Sequence, residues 1–315
     1  MSKFKVMGIT AGRHDGNSEI LLKQALLECE KAGAEVIMVN LHDYHIEDCT
    51  GCTACSQGMA MGKRVPCTLK DKDDKDKLTT ALLEQDAVIV SAPTYDLMPS
   101  ATYLKFAHRN LAYESSFLQS IGAIEKRDRV AGIISAGGST RSWQSMALEC
   151  MGATMFTHSF KIVDMILAKR VPTAAQCLLN DELMERASEM GKNIMKALET
   201  PVAERKWLGE EGFGWCPNCH SNALVKGEVQ WDGTYWPIEC QVCGAGGDLE
   251  KDEKGEWKFV IAENGLIRDR MTDEGRQHHL VEIGETHGIF YVPENRAIIN
   301  EKIKKFKELK FPTIE

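Results

Sequence analysis

No stretch of this chain approaches the roughly 20 consecutive apolar residues that a helix needs to cross a bilayer. The first residues, Met1-Ser-Lys-Phe-Lys-Val-Met-Gly8, hold no long apolar segment with a cleavage site and run straight into a strand pattern. No secretory leader is therefore expected, and the expected compartment is the cytoplasm. Positive charge is not in excess either. The formal net charge is −8, which excludes a global attraction for nucleic acid or for an anionic membrane, and neither partner is expected. Internal repeats and low-complexity tracts are absent. So are the Gly-x-Gly-x-x-Gly fingerprint and the Walker-A lysine spacing, which argues against a dinucleotide held in the Rossmann manner and against a P-loop.

What is present suffices for a substantial core. With 315 residues, 43% of them hydrophobic, the chain can build one large domain and a small one. Over residues 1–200, strand-like runs alternate with helical periodicity. Strands are read at Lys5–Ile9, Glu35–Leu41, Ala87–Ser91, Val130–Ser135 and around Phe160–Ile166. Helices are read at Glu19–Ala32, Lys75–Gln85, 99–113, 142–151 and Asp181–Leu198. Such alternation makes βαβ units and a parallel sheet buried on both faces. Five strands in about 200 residues fit an α/β fold, a doubly wound five-stranded sheet of flavodoxin type. After Pro201 the pattern changes. Residues 201–214 read as a charged linker, 215–262 as a small cysteine-bearing domain with short β runs, and 263–315 as a helical segment. The last helix carries Ile298, Ile299, Ile303, Phe306 and Leu309 on one stripe among lysines. His278, His279 and His287 read as part of a solvated face.

Eight of the eleven cysteines fall into two tight groups. In a chain without a leader, grouped cysteines with two-residue gaps mean metal more often than disulfide. Cys49, Cys52 and Cys55 repeat as Cys-x-x-Cys-x-x-Cys, and Cys67 follows. Three thiols at that pitch can reach one small inorganic object, and a fourth can close it; an iron–sulfur cluster, a zinc ion or free thiols remain open readings. Cys216-Pro-Asn-Cys219 and Cys240-Gln-Val-Cys243 are two knuckles separated by twenty residues, a tetrahedral four-sulfur pattern. Zinc and a single rubredoxin-like iron share that geometry, and the intervening 227–237 hairpin resembles a zinc ribbon. So small a segment needs its metal to stay folded.

Three loops follow strands on what should be one sheet edge. Gly8 to Ser18 brings a hydroxyl, backbone N–H groups, Arg13 and a helix start together, the combination that binds phosphate. Ser91-Ala-Pro-Thr-Tyr-Asp96 follows the third strand, and Ser135-Ala-Gly-Gly-Ser-Thr-Arg141 the fourth. Open parallel sheets bind ligands outside the carboxyl ends of their strands, where strand order reverses.

The chain resembles the flavodoxin-fold NADPH-dependent FMN reductase superfamily, and its iron–sulfur flavoprotein branch in particular. Gly16-Asn-Ser18, Cys49-Thr-Gly-Cys-Thr-Ala-Cys55, Ala92-Pro-Thr-Tyr95 and Ser100-Ala-x-x-x-Lys105-x-x-x-Arg109 carry the resemblance, which covers about residues 3–200. It implies FMN, with Thr10, Arg13, Asn17 and Ser18 near the phosphate and Pro93, Thr94, Tyr95, Gly137 and Gly138 near the isoalloxazine. Gly12, Asp96 and Ala136, from the same loops, complete the expected cofactor set. The resemblance also implies a [4Fe–4S] cluster on Cys49, Cys52, Cys55 and Cys67, and a homodimer or homotetramer. Two features depart from it: a longer gap between Cys55 and Cys67, and an acidic pair blurred into Lys70-Asp-Lys-Asp-Asp74. The expectation is an oxidoreductase that takes electrons from a ferredoxin-like carrier or NAD(P)H and passes them to an acceptor still to be identified. The alternatives are an NAD(P)H-dependent flavin or quinone reductase without the cluster, and a zinc-ribbon binding protein whose flavodoxin part senses redox state. With a flavin to do the chemistry, no side-chain acid or base is required.

Overall fold

The computed structural model describes residues 4–311. Five parallel strands form the main sheet: β1 (Lys5–Thr10), β2 (Glu35–Asn40), β3 (Ala87–Tyr95), β5 (Arg129–Ala136) and β6 (Phe160–Ala168), in the order β2-β1-β3-β5-β6. A two-residue strand, β4 (Met98–Pro99), folds back antiparallel on β3. The central strands are apolar along their whole length because both faces are covered. All eight residues of β5 are buried, as are the first six of β3. One face carries α1 (Asn17–Lys31) and α7 (Asp181–Glu199). The other carries α3 (Lys75–Leu83), α4 (Ala101–His108) and α6 (Ala147–Met155). Strand order reverses between β1 and β3, so a crevice opens outside their carboxyl ends.

The expected 99–113 helix is shorter than its periodicity suggests. It stops at His108, and a 3-10 turn over Asn110–Tyr113 follows. The segment 142–151 becomes α-helical only from Ala147; a 3-10 turn over Arg141–Trp143 and the buried, hydrogen-bonded side chain of Gln144 come before it. Two short helices were not foreseen: α2 (Ala54–Ala60), within the cysteine segment, and α5 (Ser115–Ser120).

Residues 201–214 lie along the edge of β6. The Leu208 N–H donates to the Val163 carbonyl at 2.8 Å, and Arg205 donates to the carbonyls of Ala197 and Asp128. A second, antiparallel sheet follows: β7 (Leu224–Lys226), β8 (Ile238–Cys240), β9 (Gly246–Lys251) and β10 (Trp257–Ile261), in sequential order. Its Val242, Ala245 and Phe259 join the apolar core that covers the α6 face of the main sheet. Two helices end the chain, α8 (Asp273–Tyr291) and α9 (Pro293–Glu308). α8 lies back on α2 and α5, where Ile283 packs with Met59, Phe117 and Leu118. No helix among the described residues is long and apolar enough to cross a membrane.

Candidate active site

The three loops converge. Gly12, Arg13, Asn17 and Ser18 after β1, Pro93, Thr94 and Tyr95 on β3, and Ala136, Gly137 and Gly138 after β5 line one cavity of about 90 Å³ at the switch point. Gly16, Val171 and Pro172 line it as well, and the sequence offered no signal for the last two. Thr10 lies beneath the floor, fully buried, its hydroxyl accepting from the Gly12 N–H. Asp96 stands outside, on the tight turn between β3 and β4.

The start of α1 is built to meet an anion. Gly16 is the N-cap and supplies no side chain, so the first-turn N–H groups have no side-chain cap. Glu19 is turned away from them and accepts instead from the Asp15 N–H. Unpaired N–H groups and the positive end of the helix dipole therefore face the cavity, with Arg13 exposed on its rim. Asn40 at the end of β2 donates to the Gly12 carbonyl, which ties this loop to the sheet. Asn17, which lines the cavity, also ties two segments together. Its amide donates to the carbonyls of Val171 and Thr173 and accepts from the Cys177 N–H, so it fastens the 171–177 segment as the far wall.

Gly137 is glycine for a packing reason. A Cβ there would meet the Gln144 side chain at 2.4 Å. Gln144 is buried, accepts from the Thr94 hydroxyl and donates to the Ser139 carbonyl, so it couples the second loop to the third. Thr94 also shares a hydrogen bond with Ser135.

The first cysteine group surrounds a neighbouring cavity of about 80 Å³, lined by Cys49, Cys52, Cys55 and Cys67 together with His108, Arg109 and Leu111. Among the described residues, no three of these sulfurs gather within 4.8 Å of one another. Arg109 donates to the Cys67 sulfur at 3.5 Å and is ion-paired with Asp73 in full burial. The Cys52 thiol is drawn below the ordinary thiol range by its hydrogen bond with Thr68, whereas burial pushes Cys55 up. Thr53, between them, adopts φ +59°, a left-handed conformation that a β-branched residue takes only when its surroundings impose it. Helix α4 links the two cavities. It begins beside the second loop, where the Ser100 N–H donates to the Pro93 carbonyl, and ends at His108 with Arg109 as its cap.

The second group is compact and buried. Cys216, Cys219, Cys240 and Cys243 place their sulfurs within 4.8 Å of one another, with Cys216–Cys243 and Cys219–Cys240 both at 3.6 Å. A tetrahedron of thiolates about 2.3 Å from one zinc ion has edges of about 3.8 Å, so the spacing suits a single ion. Each knuckle turns through a left-handed residue just after its second cysteine, His220 in one and Gly244 in the other. The four thiols hydrogen-bond one another, which draws Cys216 and Cys240 below the ordinary thiol range and pushes Cys219 and Cys243 above it.

The histidines of α8 are less solvated than expected. His278 bonds Asp232 at 3.0 Å and lies against Trp231, and His287 bonds the Ser56 hydroxyl of α2 at 3.1 Å. Only His279 faces outward, beside Glu282.

Residues 4–168 match the family described as NADPH-dependent FMN reductase. Over 295 residues the chain is 25% identical to a flavone synthase of Aspergillus candidus, spanning 89% of this chain and 88% of that protein. It is 25% identical over 207 residues to an iron-sulfur flavoprotein of Methanocaldococcus jannaschii, spanning 62% of this chain and 97% of that one. Among solved structures, a flavone reductase superposes with a TM-score of 0.71 at 22% identity, over 99% of this chain and all of that one.

Proposed function

We propose that this chain, which belongs to the NADPH-dependent FMN reductase family and is an FMN-dependent oxidoreductase, couples an electron donor to an organic acceptor through FMN and a [4Fe–4S] cluster. The observation that carries the reading is the pairing of two cavities at opposite ends of α4, one with a helix N-terminus for a phosphate, the other ringed by four cysteines. The donor sets suit the two metal roles differently. Each cysteine of a cubane binds a different corner iron, which calls for sulfurs set wide apart, as at Cys49, Cys52, Cys55 and Cys67. The tight second group suits one zinc ion and a structural task.

When bound, FMN supplies chemistry in one- or two-electron steps, and a cluster passes single electrons. The residues do the rest. The first turn of α1 and Arg13 would hold the phosphate, and the Pro93–Tyr95 and Gly137–Gly138 backbones would flank the ring. Gln144 and Asn17 fix the walls. Arg109 holds the Cys67 sulfur in place across the long loop.

The acceptor in this reading is a planar conjugated compound of flavone type. The match to the flavone synthase leaves only a tenth of this chain uncovered, so it extends well into residues 205–315, whereas the iron-sulfur flavoprotein match covers 62% of the chain. A donor of ferredoxin type or NAD(P)H, and a homodimer or homotetramer, complete the proposal.

Anaerobic purification tests it. Flavin bands with a broad, dithionite-bleachable shoulder, about four irons and four sulfides per chain, and one zinc are expected. Flavin bands with no iron or acid-labile sulfide would leave a cluster-free NAD(P)H reductase and overturn the proposal.

A further inference from the structure

Beside the flavin cavity, four large apolar side chains face solvent: Tyr95 (60% exposed), Met98 (44%), Trp143 (67%) and Met146 (44%). Single exposed apolar residues need no explanation, but a group on adjoining loops at the mouth of a binding cavity does.

Their placement is fixed. Tyr95 and Met98 are cross-strand partners at the tip of the β3–β4 hairpin. The two residues between them, Asp96 (φ +46°) and Leu97 (φ +74°), are both left-handed, as a tight two-residue hairpin demands. Glycine or asparagine would adopt this turn readily; leucine does so only under strain. The Leu97 carbonyl accepts from the Met146 N–H at 3.1 Å, so the opposing loop braces the turn. That loop is anchored at Gln144, next to Trp143, and at Arg141, whose guanidinium donates to the Phe213 carbonyl and lies over its ring. The indole of Trp143 is thus exposed on a braced loop, one residue from a side chain bonded to Thr94 of the flavin cavity.

We infer that Trp143, with Tyr95 and Met98 opposite, forms a platform that takes a neutral planar aromatic ligand at the flavin mouth. The surface is apolar and polarisable, suited to stacking against a flat conjugated ring. Arg141, the nearest cation on this loop, is already engaged by Phe213, which disfavours a polyanionic ligand here. The inference rests on the proposal that the acceptor is flavone-like, and it assigns Trp143 to the acceptor and not to FMN.

The test uses the FMN-loaded holoprotein, with flavone as the probe. Flavone binding is followed by its perturbation of the flavin absorbance, FMN binding by fluorescence, and turnover by steady-state kinetics. Trp143→Ala should weaken flavone binding and raise its KM by about tenfold, with FMN affinity within about twofold and Trp143→Phe recovering most of the loss. Unchanged flavone binding in Trp143→Ala, or a loss of FMN affinity in step with it, would overturn the assignment. So would a wild-type protein that does not bind flavone. A concentration-dependent dimer that dissociates in Trp143→Ala while flavone binding is kept would give the patch to a second copy, also against the inference. Flavone that binds at Trp143 without being turned over would overturn the proposed acceptor and leave the platform standing.

Discussion

Asp73 and Arg109 form an ion pair with both side chains almost wholly withdrawn from water; the sequence offered Arg109 as a motif residue and Asp73 within a blurred acidic pair, but gave no sign that the two meet. The Arg109 guanidinium also donates to the Glu47 carbonyl and the Cys67 sulfur, so one side chain ties three strands of loop together. Burial alone would raise the Asp73 carboxyl, but hydrogen bonds from Arg109 and from the Glu47 N–H outweigh it and hold the group below the ordinary carboxylate range. Removing one partner leaves the other charge buried and unpaired, which costs about 3–5 kcal/mol. Asp73→Asn should therefore lower stability by about that amount at neutral pH, read from urea unfolding. The sign with pH follows from the depressed value. The pair's contribution is fully present above the unfolded carboxyl pKa of about 3.9 and is lost as pH falls through the folded value. The gap between wild type and Asp73→Asn should close in acid; a gap that stays constant with pH would refute the account. Lys75 is a similar surprise, a fully buried amine that donates to Asn110, lies 3.5 Å from the centre of the Phe106 ring and is pushed well below the ordinary lysine range by burial.

At the scale of elements, α2 decides whether the first cysteine group is a site. The helix packs so closely on the return loop that a Cβ at Gly58 would meet Val65 at 2.6 Å and the Lys63 carbonyl at 2.7 Å. That loop delivers Cys67 two residues later. Gly58→Ala should push the loop away from α2 and lower iron retention several-fold while FMN content is unchanged, measured as iron and flavin per chain. Full iron in this variant would show that Cys67 is placed by other contacts. On the flavin side, the same logic runs through Gln144, which joins the β3 and β5 loops into one wall.

The whole molecule links its two cysteine sites through a path of protein contacts. The knuckle segment packs on α6, with Val242 near Gly152 and the Asn222 N–H donating to Glu149. It then sends α8 across to α2 and α5, with Arg276 paired to Glu114 and His287 bonded to Ser56. If the knuckle folds only with its ion, losing that ion should free α8. Cys216→Ser is expected to abolish metal binding at the knuckles and to raise hydrogen exchange in residues 54–60 while β1, β3 and β5 stay protected, with less iron retained at the proposed cluster site as the consequence. Unchanged exchange in α2 would show that α8 holds without the knuckle. The outer helix, α9, buries none of its residues within one chain, which leaves the stripe of Ile298, Ile299, Ile303 and Phe306 open.

Much of this protein was legible one residue at a time. The strands are runs of apolar residues buried on both faces, a pattern that needs no partner to be recognised, and the order of strands and helices implied the doubly wound sheet. The two cysteine groups and the three loops could likewise be named, because spacing and glycine content are local properties. What depended on distance in sequence was decided by the tertiary structure alone. Asn17 is a fastener because segment 171–177 arrives beside it, and Gly137 is glycine because Gln144 needs the space. Residues 201–214, which composition marks as a linker, lie bonded along β6, and the histidines of α8 are half-buried because that helix crosses back onto α2. Even the contrast between the two sulfur sets, one gathered within 4.8 Å and the other spread round a cavity, arises from packing, since Cys-x-x-Cys spacing is common to both.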